Sequence, residues 1–242
     1  MTLLLLAGTK EAKQIAWGLA DTGQSVLASL AGATRHPEPL PVPTRIGGFG
    51  GEDGFRQTVT AQGITAVLDA THPFATQIST RTARVCSEMA MPYAQVVRPA
   101  WTPDVGDNWV SISAPADADG HLPNDAVVFL ATGRQTLTQY GMLAGRTTLV
   151  RVIDPPNAPL PFENGEYVIG RPPFTVKSEA TLFRELRVTH LVAKNAGGTG
   201  GRAKLDAARA IGLPVLMLKR PPMPNSRCFE TAQDALKWAV SI

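Results

Sequence analysis

Short apolar runs, each followed by a turn and then an amphipathic stretch, recur along this chain of 242 residues, and that alternation restricts its fold more than any other feature. Residues 3–7 (Leu-Leu-Leu-Leu-Ala) are apolar without a break, as a strand covered on both faces must be. Residues 11–22 carry Ile15, Ala16, Leu19 and Ala20 at three-to-four spacing, which predicts a helix, and Gly23 follows as a stop. The same reading gives strands over 25–30, 65–70 and 93–98, with helices over 55–62 and 76–89. A stretch rich in Pro, Asp, Gly and Ala at 99–125 interrupts the pattern. It then restarts, with strands over 126–131, 147–153, 167–169, 191–194 and 215–218 and helices over 137–143, 177–187, 203–211 and 232–240. Strands alternating with helices make mostly parallel sheets covered on both faces. The restart predicts an α/β chain of two domains, residues 1–99 and 103–242, with a cleft between them.

Composition removes several functional classes. The chain is 44% apolar, enough to bury a real core in one large domain or two small ones, and holds only two cysteines. Cys86 and Cys228 form no CxxC and have no histidines at ligand spacing, so neither a metal site nor a disulfide framework is expected. No apolar run approaches the ~20 residues that cross a bilayer, and residues 3–7 lack the basic flank of a targeting segment. A cytoplasmic protein with no membrane contact is expected. The net charge of +3 is spread evenly, with 8 Lys+Arg against 7 Asp+Glu in residues 1–98. A nucleic-acid binder needs a clustered cationic face, and none is present. A mild positive balance suits small anionic ligands.

Chemistry is expected in the loops that follow the strands, because open parallel sheets bind ligands at the carboxyl ends of their strands. Asp69-Ala70-Thr71-His72-Pro73-Phe74-Ala75 lies between a strand and a helix. Pro73 suits a first helical position, which puts His72 beside a helix N-terminus with Asp69 close by. His72 and Asp69 are the candidate catalytic residues, although a histidine that only makes structural hydrogen bonds fits the sequence nearly as well. Ala7-Gly8-Thr9-Lys10-Glu11-Ala12 offers backbone N–H groups at a helix start, a setting for phosphate. It lacks the G-x-G-x-x-G pattern, Glu11 would repel a phosphate, and an ordinary turn capped by Thr9 reads equally well. At the end of the second strand, Ala28-Ser29-Leu30-Ala31-Gly32-Ala33-Thr34-Arg35 has no acidic residue to grip a ribose 2′-hydroxyl. Hydroxyls and an arginine there favour a 2′-phosphate, so a bound dinucleotide would be NADPH rather than NADH. Gly47-Gly48-Phe49-Gly50-Gly51 presents bare backbone and one aromatic ring, with Asp53 as a cap for the next helix. A second glycine loop, Lys194-Asn195-Ala196-Gly197-Gly198-Thr199-Gly200-Gly201-Arg202, has no Walker ending and carries cations suited to carboxylates or phosphates.

Taken in order, these pieces resemble the precorrin-6A reductase family of cobalamin biosynthesis. The resemblance rests on Ala7-Gly8-Thr9-Lys10-Glu11-Ala12, Gly47-Gly48-Phe49-Gly50-Gly51, Asp69-Ala70-Thr71-His72-Pro73-Phe74-Ala75, Arg98-Pro99-Ala100-Trp101 and Lys194-Asn195-Ala196-Gly197-Gly198. It spans residues 3 to about 221; Ala196 departs from the serine usual in the family. It implies a monomer of two Rossmann-like domains that reduces one double bond of precorrin-6A with a nicotinamide cofactor. NADPH is then expected on the first domain, held by Gly8, Thr9, Ser29, Thr34, Arg35, Gly47, Gly48, Phe49, Gly50 and Thr71. The polyacidic tetrapyrrole is expected to meet Arg98, Thr132, Arg134, Lys194, Asn195, Gly197, Gly198 and Arg202, with no metal held by the protein. Transient contact with neighbouring pathway enzymes is compatible with such a role. Three alternatives stand beside it: an NADH-dependent reductase of the cobalt-bearing substrate, a nucleotide-sugar or methyl-transferring enzyme, and a non-catalytic two-lobed binder of anions.

Overall fold

The structure, a computed structural model, describes residues 1–32, 37–154 and 159–242. It divides into two compact units, Met1–Pro99 with Pro221–Ile242, and Ala100–Arg220.

The first unit holds β1 (Thr2–Leu6), α1 (Lys10–Ala20), β2 (Ser25–Leu30), β3 (Thr44–Ile46), α2 (Gly51–Ala61), β4 (Ile64–Asp69), α3 (Thr76–Glu88) and β5 (Tyr93–Val96). Two late elements, β12 (Arg227–Phe229) and α6 (Ala232–Ser241), complete it. All its strand pairs are parallel, in the order β12-β5-β4-β1-β2-β3. β1 lies at the centre, which explains its unbroken apolar run. Leu3 and Leu5 pack with Ile15 and Leu19 of α1 and with Ala235 and Trp238 of α6. Leu4 and Leu6 face the opposite side, with Phe49, Phe55, Val59 and Val85. Strand side chains alternate between faces, so a strand with a core on each side must be apolar throughout.

The second unit contains β6 (Trp109–Ile112), β7 (Val127–Ala131), β8 (Thr147–Val152), β9 (Gly165–Ile169), α4 (Val176–Glu185), β10 (His190–Lys194), α5 (Ala203–Ala210) and β11 (Val215–Leu218). Its sheet is also parallel, in the order β6-β11-β10-β7-β8-β9. Both sheets therefore have Rossmann-like connectivity, in which the chain runs outward in one direction from a central strand and then in the other.

The sixth place in each sheet corrects the expected boundary. β6 follows β5 in the chain yet lies beside β11, whereas β12 follows β11 yet lies beside β5. Residues 221–242 thus belong to the first unit rather than to a second domain spanning 103–242. Packing is the reason. α6 lies so close to α1 that a Cβ on Gly18 would fall 2.4 Å from Leu236 Cδ2.

Three strands escape the sequence pattern, namely β3, β6 and β12. They are three or four residues long and sit in segments punctuated by proline and glycine, too short for a period to show. The helix expected over 137–143 is instead 3₁₀ over Arg134–Leu143, kinked at Tyr140. α2 begins earlier than predicted, with Gly50 as N-cap at φ 75°. Asp53 therefore stands in the first turn and does not cap.

Candidate active site

The carboxyl ends of β1 and β4 are joined by one threonine. Thr9 caps α1, its Oγ1 accepting from Ala12 N at 3.1 Å, and the same hydroxyl donates to Ala70 O at 2.7 Å. Gly8 before it has φ 143°, and nothing lies within 4 Å of where its Cβ would be. Bare backbone at a helix start beside open space suits a phosphate. Glu11 in the first turn is ion-paired with Arg98, and both side chains are largely buried. That pairing offsets the charge that told against a phosphate here. It also commits Arg98, expected to receive substrate, to the first unit's own helix.

The loop after β4 is built on Asp69, which is 2% exposed. Its Oδ1 accepts from Thr71 N at 3.0 Å and Thr71 Oγ1 at 2.7 Å, and its Oδ2 accepts from Tyr93 OH at 2.9 Å. Burial first, and the carboxylate second, push the Tyr93 phenol well above its usual range. Tyr93 is therefore a fixed hydrogen-bond donor. Three donors converge on Asp69, so its carboxylate braces the loop.

His72 is exposed at the crest of that loop. It opens a turn closed by Ala75 N donating to His72 O at 2.7 Å, and α3 starts only at Thr76. Pro73 therefore lies in the turn and not at the first helical position. Phe74 N donates to His72 Nδ1 at 3.3 Å, which assigns the ring proton of the neutral imidazole to Nε2.

At the ends of β2 and β3 the cation that organises the loop is Arg45, which sequence reasoning missed. Its Nη1 donates to Ser29 Oγ at 2.8 Å and to Gly47 O at 3.0 Å, and its Nη2 donates to Gly48 O at 2.9 Å. The guanidinium lies 4.0 Å from the Phe49 ring centre. One short motif thus gathers Ser29, Gly47, Gly48 and Phe49, with Gly50 following as the α2 cap. The available signal is an arginine two residues before a glycine loop; its register with Ser29 is seen only in the sheet. Thr34 and Arg35 lie outside the described residues.

Gly8, Thr9, Ser29, Gly47, Gly48, Phe49, Gly50, Asp69, Thr71 and His72 all stand at the carboxyl edge of the first sheet, on β1 to β4 or the loops that leave them. Gly47, Gly48 and Gly50, like Gly8, have nothing within 4 Å of a would-be Cβ. An extended anion-bearing ligand fits such a rim of open backbone.

The second unit has the equivalent edge at β7 and β10. Thr132 is buried, and its Oγ1 makes no hydrogen bond within the described residues. Arg134 stands exposed beyond Gly133 at the start of the 3₁₀ segment. Burial lowers the Lys194 ammonium pKa below its ordinary value.

Two expected ligand residues are spent inside this unit. Asn195 accepts from Trp101 N at 2.8 Å and donates to Trp101 O at 2.9 Å, so its amide clamps that segment. Arg202 is tied to Asp206 and Asp104. The glycine loop is further pinned by Trp101 Nε1 donating to Gly198 O at 2.8 Å, by Lys204 Nζ donating to Gly201 O at 2.8 Å, and by Arg220 donating to the Asn195 and Ala196 carbonyls at 2.8 and 3.0 Å. Gly197 and Gly198 are thus presented by a rigid frame.

Among the described residues no group of three or more His, Cys, Asp and Glu side chains could hold a metal ion, and no helix is long and apolar enough to cross a membrane.

Comparison with known proteins adds the family. Residues 2–240 match the model of the family described as precorrin-6x reductase CbiJ/CobK. The chain is 43% identical over 237 residues to a precorrin-6A reductase of Rhodobacter capsulatus, covering 98% of this chain and 94% of that one. It is 43% identical to the precorrin-6A reductase of Rhodococcus erythropolis, covering 99% and 98%. A cobalt-precorrin-6A reductase of Priestia megaterium is 28% identical, covering 99% and 98%. A solved structure titled CobK precorrin-6A reductase superposes with TM-score 0.93 at 42% identity, covering 100% of this chain and 96% of that one.

Proposed function

The chain belongs to the precorrin-6x reductase family, and from that premise we propose that it reduces one double bond of the precorrin-6A macrocycle in cobalamin biosynthesis, with NADPH as donor. The metal-free substrate is favoured by the relatives: those named precorrin-6A reductase reach 43% identity, against 28% for one named cobalt-precorrin-6A reductase. NADPH is favoured by one observation above the others. Where NAD-specific folds carry an acid at the end of the second strand, this chain has the Ser29 hydroxyl with the Arg45 guanidinium on it.

When bound, a reduced nicotinamide would supply a hydride, that is, one proton carrying two electrons; a second proton would complete the saturated bond. The residues of the first unit divide the remaining work. Gly8 and Thr9 receive pyrophosphate at the α1 N-terminus, while Phe49 and the bare backbone at 47, 48 and 50 line the path of the cofactor along the strand ends. His72 holds a proton at Nε2 and is the side chain best placed to meet charge developing on the ring. Asp69 and Thr71 act through the loop, fixing where His72 stands. In the second unit Thr132, Arg134, Lys194 and the backbone of Gly197 and Gly198 receive acetate and propionate groups of the substrate, by charge-assisted hydrogen bonds where a cation is present. Asn195 and Arg202 serve that surface indirectly, as its frame.

The test is oxidation of NADPH and of NADH by the purified protein, with and without precorrin-6A. NADPH should be consumed one for one with precorrin-6A and only in its presence, with kcat/KM at least about tenfold above that for NADH. No turnover with precorrin-6A refutes the reductase reading. Equal use of both nucleotides refutes the cofactor reading.

A further inference from the structure

Two arginines converge on one aromatic ring in the first unit, and neither spends all its donors. Arg45 lies 4.0 Å from the Phe49 ring centre and Arg81 of α3 lies 5.5 Å from it. The bonds of Arg45 to Ser29, Gly47 and Gly48 engage three of the five N–H groups a guanidinium carries. Among the described residues the other two meet no acceptor. Arg81 is half-buried, and its Nε is shielded from solvent with no hydrogen-bond partner among the described residues. Burial draws both guanidinium pKa values downward, the mark of charge held partly away from water.

Glu52 offsets part of the Arg81 charge through space, but its hydrogen bonds go elsewhere. It is engaged by Arg56 and Arg84. Two desolvated cations with unspent N–H groups call for a compact anion bearing several acceptor oxygens, and a phosphate monoester meets that description. The location selects which phosphate. Arg45 is in register with Ser29 near the carboxyl end of β2, where dinucleotide folds read the 2′ position of the adenosine ribose. Space is available too, since no atom lies within 4 Å of a would-be Cβ at Gly47 or Gly48.

We propose that Arg45, with Arg81 behind it, forms the subsite for the 2′-phosphate of NADPH and sets the preference for that cofactor over NADH. This rests on the cofactor reading given above and adds the residues that enforce it. Arg45 is also part of the loop, so the test must separate recognition from support.

Binding of NADPH and NADH is measured by fluorescence, and binding of 2′,5′-ADP and 5′-AMP by calorimetry. The proteins are wild type, R45Q, R45K, R81Q and R35Q. R45Q should lose about ten- to a hundredfold in affinity for NADPH and 2′,5′-ADP, the range of charge-assisted bonds, with NADH and 5′-AMP changed less than about threefold. R81Q should lose about three- to tenfold on the same two ligands. R45K should fall between wild type and R45Q, because lysine keeps the charge without the fork. Equal weakening of all four ligands in R45Q would make Arg45 a loop support only and overturn the proposal. Collapse of the preference in R35Q with R45Q unaffected would overturn it as well. A wild-type protein without preference would sink the cofactor reading itself, a different result from either. Should R45Q fail to fold, R45K and R81Q carry the same comparison.

Discussion

The replacement Asp69→Asn separates a brace from a reacting group. The carboxylate is 2% exposed and accepts from Thr71 N, Thr71 Oγ1 and Tyr93 OH at 3.0, 2.7 and 2.9 Å. In the variant the amide oxygen keeps the two Thr71 donors, but its NH₂ group must face the Tyr93 hydroxyl. That hydroxyl then has to turn its proton elsewhere, and Ser79 O at 3.5 Å offers only a long contact. Hydrogen bonds to a charged acceptor contribute about 1.5–3 kcal/mol each, against about 0.5–1.5 for neutral ones. Two bonds weakened by about 1 kcal/mol each, and a third exchanged at a net cost of about 1 kcal/mol for the new amide donating to the Tyr93 oxygen, give a destabilisation of about 3 kcal/mol. Y93F removes a single donor and should cost about 1–2 kcal/mol. The double variant should be less destabilised than the sum by about 1 kcal/mol, because both changes break the same bond.

Urea unfolding gives these energies, and hydrogen exchange resolved by peptide assigns the loss to the first unit. On the proposed function, NADPH oxidation in the presence of precorrin-6A gives the catalytic side. A brace predicts that D69N lowers kcat by no more than about tenfold, keeps the shape of the pH–rate profile, and frees the loop around Thr71 to exchange. If D69N were as stable as wild type within about 0.5 kcal/mol while losing turnover, the carboxylate would be part of the chemistry and this reasoning would be wrong.

Two further changes test the frame around the site. A Cβ on Gly54 would lie 1.8 Å from Phe49 O, a backbone atom, so G54A should displace the 47–51 loop, destabilise by about 2–4 kcal/mol and weaken NADPH binding; an unchanged Kd would disprove the link between α2 and that loop. Burial lowers the Lys194 ammonium below its ordinary 10.5, so carboxylate affinity that depends on this charge should fall as pH rises through that lowered value, earlier than for an exposed lysine. K194R, which stays protonated, should abolish that alkaline fall, and binding titrations across pH would show it.

Several residues of the candidate site are legible because local chemistry alone selects them. Thr9 is named by a hydroxyl before an amphipathic run, and it does cap α1. Asp69 and Thr71 were found as polar residues at a strand end, although which of them is buried was not. Their roles were less readable than their positions. Arg98 and Arg202 look alike in sequence, as cations after strands, yet each is answered by an acid from elsewhere in its own unit, Glu11 and Asp104. Asn195 could not be told from a ligand, because its partner Trp101 is distant in the chain. Arg45 is not legible as a site residue because β3 is three residues long and shows no period.

Alternation of apolar runs and amphipathic stretches was enough, by itself, to determine parallel sheets with helices on both faces. That pattern reports only which side chains must leave water, and solvent acts the same way along the whole chain. Which sheet takes β6 and which takes β12, and which acid answers each arginine, depended on contacts between residues far apart in sequence. Edge strands of three or four residues have too few side chains to declare a neighbour, so the close packing of α6 on α1 and the pairing of β6 with β11 made that choice.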